Sequence, residues 1–184
     1  MSLQIEPELI QRCIKNEAKA QKQLYDLCKS QMYGVCVRYS NSSDDARDIL
    51  QEGFIKIFSK INQYSGKGSV EGWMKRIFIN CALEHYRVNK VYQAQSDVDT
   101  AWSVGFDSFS LEKISIKEIL EVLNKMAPGY RTVLNLYAIE GYSHAEIADM
   151  LEINEGTSKS QLSRARKVFM EEYKKLNNNL VSGR

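Results

Sequence analysis

The stretch that decides the fold is Gly141-Tyr142-Ser143-His144-Ala145-Glu146-Ile147-Ala148-Asp149-Met150-Leu151-Glu152-Ile153-Asn154-Glu155-Gly156-Thr157-Ser158-Lys159-Ser160-Gln161-Leu162-Ser163-Arg164-Ala165-Arg166-Lys167. It reads as two helices joined by a tight turn. Ser143 and Glu146 stand at capping-box spacing and start the first helix. Ala145, Ile147, Ala148 and Leu151 supply its apolar face, with alanines small enough for a second helix to come close. Glu152, Ile153 and Asn154 make the turn, where Ile153 is the one apolar side chain available to plug the angle. Asn154 is a good N-cap, and Glu155 stands near the positive end of the second helix.

On that second helix, Leu162, Ala165, Val168 and Phe169 point inward. Thr157, Lys159, Ser160, Ser163, Arg164 and Lys167 are left outward. Short hydroxyls and amines reach base edges and phosphates, and an arginine reads a guanine bidentately. The pattern is that of a helix-turn-helix whose second helix enters a DNA major groove. The bland alternative is a solvated basic face on an ordinary helical hairpin.

Working outward, the rest of the chain is helical in period, with two prolines and ten glycines in 184 residues. A short helix is expected over 7–14. A second over 17–40 carries the stripe Leu24, Leu27, Cys28, Met32, Val35, Cys36 and Tyr39. Ser42 or Ser43 caps a third over 44–60, striped by Ala46, Ile49, Leu50, Phe54, Ile57 and Phe58. Gly53 interrupts that stripe, which suggests close helix packing there. Residues 62–68 form a loop by composition. Ser69 caps a helix over 70–90 with Val70, Trp73, Met74, Ile77 and Cys81 on its stripe.

Periodicity is lost over 91–110, where Asp97, Asp99 and Asp107 occur with no lysine or arginine. This stretch reads as an acidic, flexible linker, able to span at most about 66–72 Å. Trp102, Phe106 and Phe109 either dock on a partner or pack on the next helix. A helix over 111–126 carries Leu111, Ile114, Ile116, Ile119, Leu120, Leu123 and Met126. Pro128 then opens another over 128–139, with Val133, Leu134, Leu136 and Ile139 apolar, and Gly141 ends it. The expected fold is therefore all-α: a helical domain over 1–90, the linker, and a second helical domain over 111–184 that contains the helix-turn-helix.

Composition excludes several classes. Hydrophobic content of 43% and charged content of 26% are those of a globular protein. With a net charge of only +2, any nucleic-acid affinity must come from local patches. No apolar run approaches the roughly 18 residues of a membrane span, and no signal peptide is recognisable, so direct membrane insertion is not expected. Cys13, Cys28, Cys36 and Cys81 form no Cys-x-x-Cys pair, and His85 and His144 are the only histidines. No metal site or cofactor is expected, and a reducing cytoplasm fits the free thiols best. Glu84 and His85 are adjacent on a helix and diverge, so they form no catalytic pair. No other constellation suggests an enzyme.

Two further segments carry binding chemistry. Asp45, Asp48, Gln51 and Glu52 lie on the face of the third helix opposite its apolar stripe, which suits a basic helical partner or simply solvent. Between Lys60 and Lys90 there are six cations against two acids. Trp73, Phe78 and Tyr86 interleave with them, and aromatic side chains among cations can stack on unpaired bases. The spacing of Trp73 with Val70 and Ile77 also fits a core position.

With these residues in view, the chain resembles the extracytoplasmic-function (ECF) sigma factors of bacterial RNA polymerase over nearly its whole length. Asp44-Asp45-Ala46-Arg47-Asp48-Ile49-Leu50-Gln51-Glu52-Gly53-Phe54 is similar to the family's polymerase-binding segment. Gly68-Ser69-Val70-Glu71-Gly72-Trp73-Met74-Lys75-Arg76-Ile77-Phe78-Ile79-Asn80, continuing to Glu84 and Arg87, is similar to its −10 element segment. Pro128-Gly129-Tyr130-Arg131-Thr132-Val133 and the helix-turn-helix follow in the family's order. Val70 stands where an aromatic residue is common, and Ser158 and Ser163 replace commoner apolar or larger residues.

The resemblance implies that Asp45, Asp48, Gln51 and Glu52 bind the clamp helices of the polymerase β′ subunit. It implies that Tyr64, Lys67, Lys75, Arg76, Asn80 and Arg87 serve the −10 element, with the loop from Asn62 to Ser69 capturing a base. Thr157, Lys159, Ser160, Ser163, Arg164 and Lys167 would then serve the −35 element, with Arg166 meeting backbone or solvent. Core polymerase (including its β flap), promoter DNA and an anti-sigma factor are the implied partners. The rivals are a stand-alone helix-turn-helix regulator, which would not need the first domain, and a nuclease. A nuclease would need metal-binding carboxylates beyond Asp44, Asp45 and Asp48.

Overall fold

The computed structural model describes residues 5–95 and 114–182; among them every regular element is helical. In chain order these are α1 (Pro7–Ile14), α2 (Ala18–Tyr39), α3 (Ser43–Lys60), a 3-10 turn (Ile61–Gln63), α4 (Val70–Gln95), α5 (Ile114–Asn124), α6 (Pro128–Leu134), a π turn (Asn135–Ile139), α7 (His144–Leu151) and α8 (Glu155–Ser182). Backbone contacts divide the chain into two units, one holding α1–α4 and the other α5–α8. Helix α4 runs on to Gln95, past the expected linker start at 91. The linker acids and aromatics from Asp97 to Phe109 lie outside the described residues.

In the first unit, Pro7 sits in the first turn of α1, where its missing N–H costs nothing. The chain reverses at Asn16, a left-handed residue with φ 59°. Helix α2 buries Ala20, Leu24, Cys28, Met32, Val35, Cys36 and Tyr39. Leu27, expected on that stripe, is instead 43% exposed. Its neighbour Cys28 occupies the inward position, about 100° further round the helix. Helix α3 contributes Ala46, Ile49, Phe54 and Ile57, and α4 contributes Met74, Phe78, Ile79, Cys81, Ala82 and Leu83. The α4 arc is wider than one stripe, as a helix with neighbours on two sides requires. Ser69 caps α4 by accepting the Gly72 N–H at 3.0 Å.

At Gly53 the ring of Phe78 lies directly on the helix backbone. A Cβ there would overlap the ring of Phe78, which is fully buried. Phe54 meets Tyr25 at 4.6 Å and Phe78 edge-on at 5.2 Å between ring centroids. All four cysteines are buried and free. Burial pushes the thiols of Cys28 and Cys81 up to about 11 and that of Cys36 to about 12.

In the second unit, α8 packs on α5, α6 and α7. Its core holds Val122, Leu123, Met126, Val133, Leu136, Ile147, Leu162 and Ala165. Ile119 and Ile139, expected on apolar stripes, are 40% and 46% exposed. Ala145 is also exposed, leaving Ile147 and Ala148 as the buried residues of α7. The expected single helix over 128–139 is α-helical only to Leu134. It then widens into the π turn, with the Glu140 N–H donating to the Asn135 carbonyl at 3.0 Å. Among the described residues, no helix is long and apolar enough to cross a membrane, and no group of three or more metal-type side chains gathers.

The Gly53 contact gives a test with a control. Gly53→Ala is expected to lower stability, because overpacking costs about 1–3 kcal/mol against a gain of about 1 kcal/mol in helix propensity. Gly34→Ala, where a Cβ meets nothing within 4 Å, is expected to raise stability by about 0.5–1 kcal/mol. Thermal denaturation of the two variants beside the parent checks both signs.

Candidate nucleic-acid interface

The helix-turn-helix is built as its local residues dictate. Ser143 Oγ accepts the Glu146 N–H at 3.3 Å, and Glu146 returns the bond to the Ser143 N–H at 2.8 Å. Helix α7 ends on Glu152, held left-handed at φ 54°. Asn154 caps α8, its Oδ1 accepting from the Thr157 N–H at 2.7 Å and from the Thr157 hydroxyl at 2.9 Å. That second bond commits the Thr157 hydroxyl proton to Asn154 and leaves the oxygen as an acceptor.

On α8, Lys159, Ser160, Ser163, Arg164 and Lys167 are exposed, and Thr157 is half-buried. With 100° per residue, Thr157, Ser160, Arg164 and Lys167 form one continuous stripe, with Ser163 beside it. Lys159 pairs with Glu155 at 2.6 Å and holds that carboxyl below its ordinary range. A pair this exposed exchanges easily for a phosphate.

His144 and Ser158 meet between α7 and α8. His144 Nδ1 lies 2.9 Å from Ser158 Oγ, and the imidazole stacks on Tyr137 at 4.7 Å. Ser158 is completely buried. The guanidinium of Arg166 sits over Tyr137, 5.6 Å from the ring centroid, so solvent and backbone are not its only company. Nothing in the local pattern linked positions 137, 144, 158 and 166.

In the first unit, Arg76, Asn80 and Arg87 fall within about 40° of one another around α4. Arg76 and Asn80 are exposed, while Lys75 and Arg87 are half-buried. Phe78 cannot join them. It is turned about 200° from Arg76 and is fully buried against α3, so the expectation that it stacks on bases is corrected. Trp73 and Tyr86 are half-buried. Trp73 lies 5.6 Å from the half-buried ring of Tyr64. The Tyr64 hydroxyl donates to the Gly68 carbonyl at 2.7 Å and closes the loop on itself. Gly66 and Gly68, with φ of 74° and 79°, supply its left-handed turns. Lys67 at the tip is exposed. Beside the loop lies a cleft of about 530 Å³ lined by Ile10, Gln11 and Ile14 of α1 and by Tyr64, Ser69 and Val70. The contribution of α1 was not foreseen.

On α3, Asp48 and Gln51 are exposed and Asp45 is half-buried. Ile55 shares their face and is 68% exposed, an apolar centre one could have read from its seven-residue offset from Asp48. Glu52 is not the free acid expected. It accepts from Lys56 at 2.6 Å and from His85 at 2.8 Å, and Lys56 also meets Glu84 at 2.5 Å. The i, i+4 spacing announces Lys56, whereas His85 comes from a separate helix. Burial alone would raise the Glu52 carboxyl, but the bonds from Lys56 and His85 outweigh it and hold it below its ordinary range.

Comparison with known proteins gives a consistent set of likenesses. Residues 24–91 match the family described as Sigma-70 region 2, and residues 116–168 match Sigma-70, region 4. The RNA polymerase sigma-H factor of Pseudomonas aeruginosa is 27% identical over 176 residues, covering 86% of this chain and 91% of that protein. The ECF RNA polymerase sigma-E factor of Escherichia coli K12 is 26% identical over 173 residues, covering 88% and 90%. Among solved structures, the sigma factor RpoE of Bartonella quintana, in complex with the anti-sigma factor NepR, superposes with a TM-score of 0.58. It does so at 23% identity over 83% of this chain and 96% of that one, a likeness of fold.

The Glu52 network carries a pH dependence of known sign. A carboxyl depressed on folding contributes stability fully present above its unfolded value and lost as pH falls through the lower folded value. Stability should therefore fall as the pH drops from the ordinary glutamate value of 4.5 downward. Glu52→Gln is expected to lose about 0.5–1 kcal/mol at neutral pH, as suits a partly exposed pair, and to show a flatter acid limb. Denaturation midpoints of both proteins across a pH series check it.

Proposed function

The chain belongs to the ECF sigma factors of the sigma-70 family, and from that premise we propose how its surfaces divide the work of transcription initiation. A sigma factor is a non-catalytic subunit that binds core RNA polymerase and promoter DNA. The observation that carries the assignment is the occurrence of region 2 and region 4, in that order, on one chain. A stand-alone regulator needs only the second, and that reading is set aside.

The exposed face of α3 is the polymerase-docking surface, with Asp48 and Gln51 at its polar rim and Ile55 at its apolar centre. Depletion of charge at the centre and polarity at the edge suits a specific interface. The partner is the basic surface of the β′ clamp helices. Asp45 borders this face, and Glu52 supports it from within its network. Region 4 engages the β flap.

The Arg76, Asn80 and Arg87 arc of α4, with Lys75, tracks the non-template strand of the −10 element. Loop 64–68, with Lys67 at its tip, holds an unpaired base against Tyr64. Strand opening is driven by binding to unpaired bases, with no nucleotide hydrolysis by this subunit. On α8, Thr157, Lys159, Ser160, Ser163, Arg164 and Lys167 face the −35 element. Because the Bartonella relative is seen with an anti-sigma factor, a partner of that kind is proposed here as well. The cytoplasm is the proposed place of action.

Asp48→Arg is expected to abolish co-purification with core polymerase and run-off transcription while leaving the thermal midpoint within about 0.5 kcal/mol of the parent. Undiminished capture of core polymerase would remove α3 from the docking role. Absence of transcription by the unaltered chain with core enzyme would undo the reading as a whole.

Two substitutions on α8 separate base readout from charge. Arg164→Ala is expected to weaken holoenzyme binding by about 1–3 kcal/mol on the preferred −35 sequence and to relax preference at one or two positions. Lys167→Ala should weaken binding to all sequences alike and reduce the slope of log affinity against log salt by about one. An Arg164→Ala effect equal on every duplex would show that this side chain does not read a base.

A further inference from the structure

Apolar packing holds α8 against its neighbours through Leu162 and Ala165, but non-directional contacts resist a small rotation less sharply than hydrogen bonds do. Rotation matters here. Side-chain tips lie about 5–6 Å from a helix axis, so a 20° turn of α8 carries them about 2 Å. That exceeds the tolerance of a hydrogen bond to a base edge. A helix that reads bases therefore needs directional contacts that fix its rotation and its axis.

Two such contacts are present. Ser158, on the buried side of α8, directs its hydroxyl to His144 Nδ1 at 2.9 Å. Its own N–H already bonds the Asn154 carbonyl at 3.1 Å, so the hydroxyl is not needed for capping. Eight residues on, about 12 Å along the helix, Arg166 lies over the ring of Tyr137. The two contacts share a base, because Tyr137 also stacks on His144, with rings 24° from parallel. Tyr137 comes from the π turn, where the wide backbone turn sets its position. A helix held at one point can pivot, whereas one held at two points by directional contacts cannot.

We propose that His144, Ser158, Tyr137 and Arg166 are positioning residues that fix the rotation and direction of α8 in the major groove and so set −35 sequence preference. The proposal rests on the reading of α8 as the −35-binding helix. Ser158 directly precedes Lys159 and Ser160, which lie about 100° and 200° round the helix from it, so a change in its bond is felt first at that end of α8. The −35 preference is set by which side chains α8 carries and also by a polar clip that touches no base.

The test uses the full chain assembled with core polymerase. Promoters share one −10 element and differ by single substitutions in the −35 element. The closed-complex equilibrium constant and the isomerisation rate are measured separately. Ser158→Ala and His144→Phe are each expected to reduce the preference for the best −35 sequence by about three- to tenfold. Isomerisation should stay within about twofold of the parent, since the −10 surfaces are untouched. The double variant should be no worse than the worse single one, because both remove the same bond. If the single variants instead weaken all promoters equally, in step with a lower thermal midpoint, the four residues are ordinary scaffold and the proposal fails. It fails equally if they leave −35 preference unchanged. A parent holoenzyme indifferent to −35 substitution would overturn the reading of α8, and this proposal with it.

Discussion

The first unit depends on one contact, the seating of the Phe78 ring against the bare backbone of Gly53. It seats an aromatic side chain of α4 directly on the backbone of α3, and a ring held this tightly leaves the two helices little freedom to slide there. Everything exposed on either helix is registered by it. Asp48, Gln51 and Ile55 lie on the outer face of α3, and Arg76, Asn80 and the half-buried Arg87 lie along one side of α4. The Glu52, Lys56, Glu84 and His85 network bridges the same two helices at their surface. The surfaces proposed for polymerase docking and for strand binding thus lie on two helices joined by these contacts.

The second unit solves a related problem by other means. Its recognition helix has few large apolar contacts near its groove-facing end, where Thr157, Ser160 and Gly156 are small. Directional polar contacts take over there: the Asn154 cap at the start, the His144 and Ser158 bond just behind it, and Arg166 on Tyr137 further along. Each is worth little alone. Together they exchange the tolerance of hydrophobic packing for a single orientation, which base reading requires.

What was legible in the sequence was local. The capping box at Ser143 and Glu146, the Asn154 cap, Pro128 at a helix start and Ser69 at the head of α4 all act within one helical turn, so a short window contains both partners. Gly53 was legible as a close approach because a glycine in an apolar helical stripe has few other uses. What escaped was long-range. Phe78 sits among cations in sequence and among apolar rings in space. Its burial follows from a 200° offset that matters only once α3 is known to lie behind it. Glu52 and His85 are 33 residues apart, and His144 and Ser158 are 14 apart across a turn whose angle no periodicity encodes. The π turn resisted reading because its residues are ordinary helix formers, widened by the packing around buried Asn135 and Leu136.

The buried thiols set a limit of a different kind. With Cys28 and Cys81 pushed up to about 11 and Cys36 to about 12, only about one molecule in ten thousand or fewer carries a thiolate at any of these three sites at neutral pH. Thiolates attack peroxides and disulfides, whereas thiols react poorly, and these three are both protonated and shut away. The folded first unit is accordingly blind to oxidants at these sites. If the genes under this factor respond to oxidative stress, these three thiols of the folded chain are not where the oxidant is sensed.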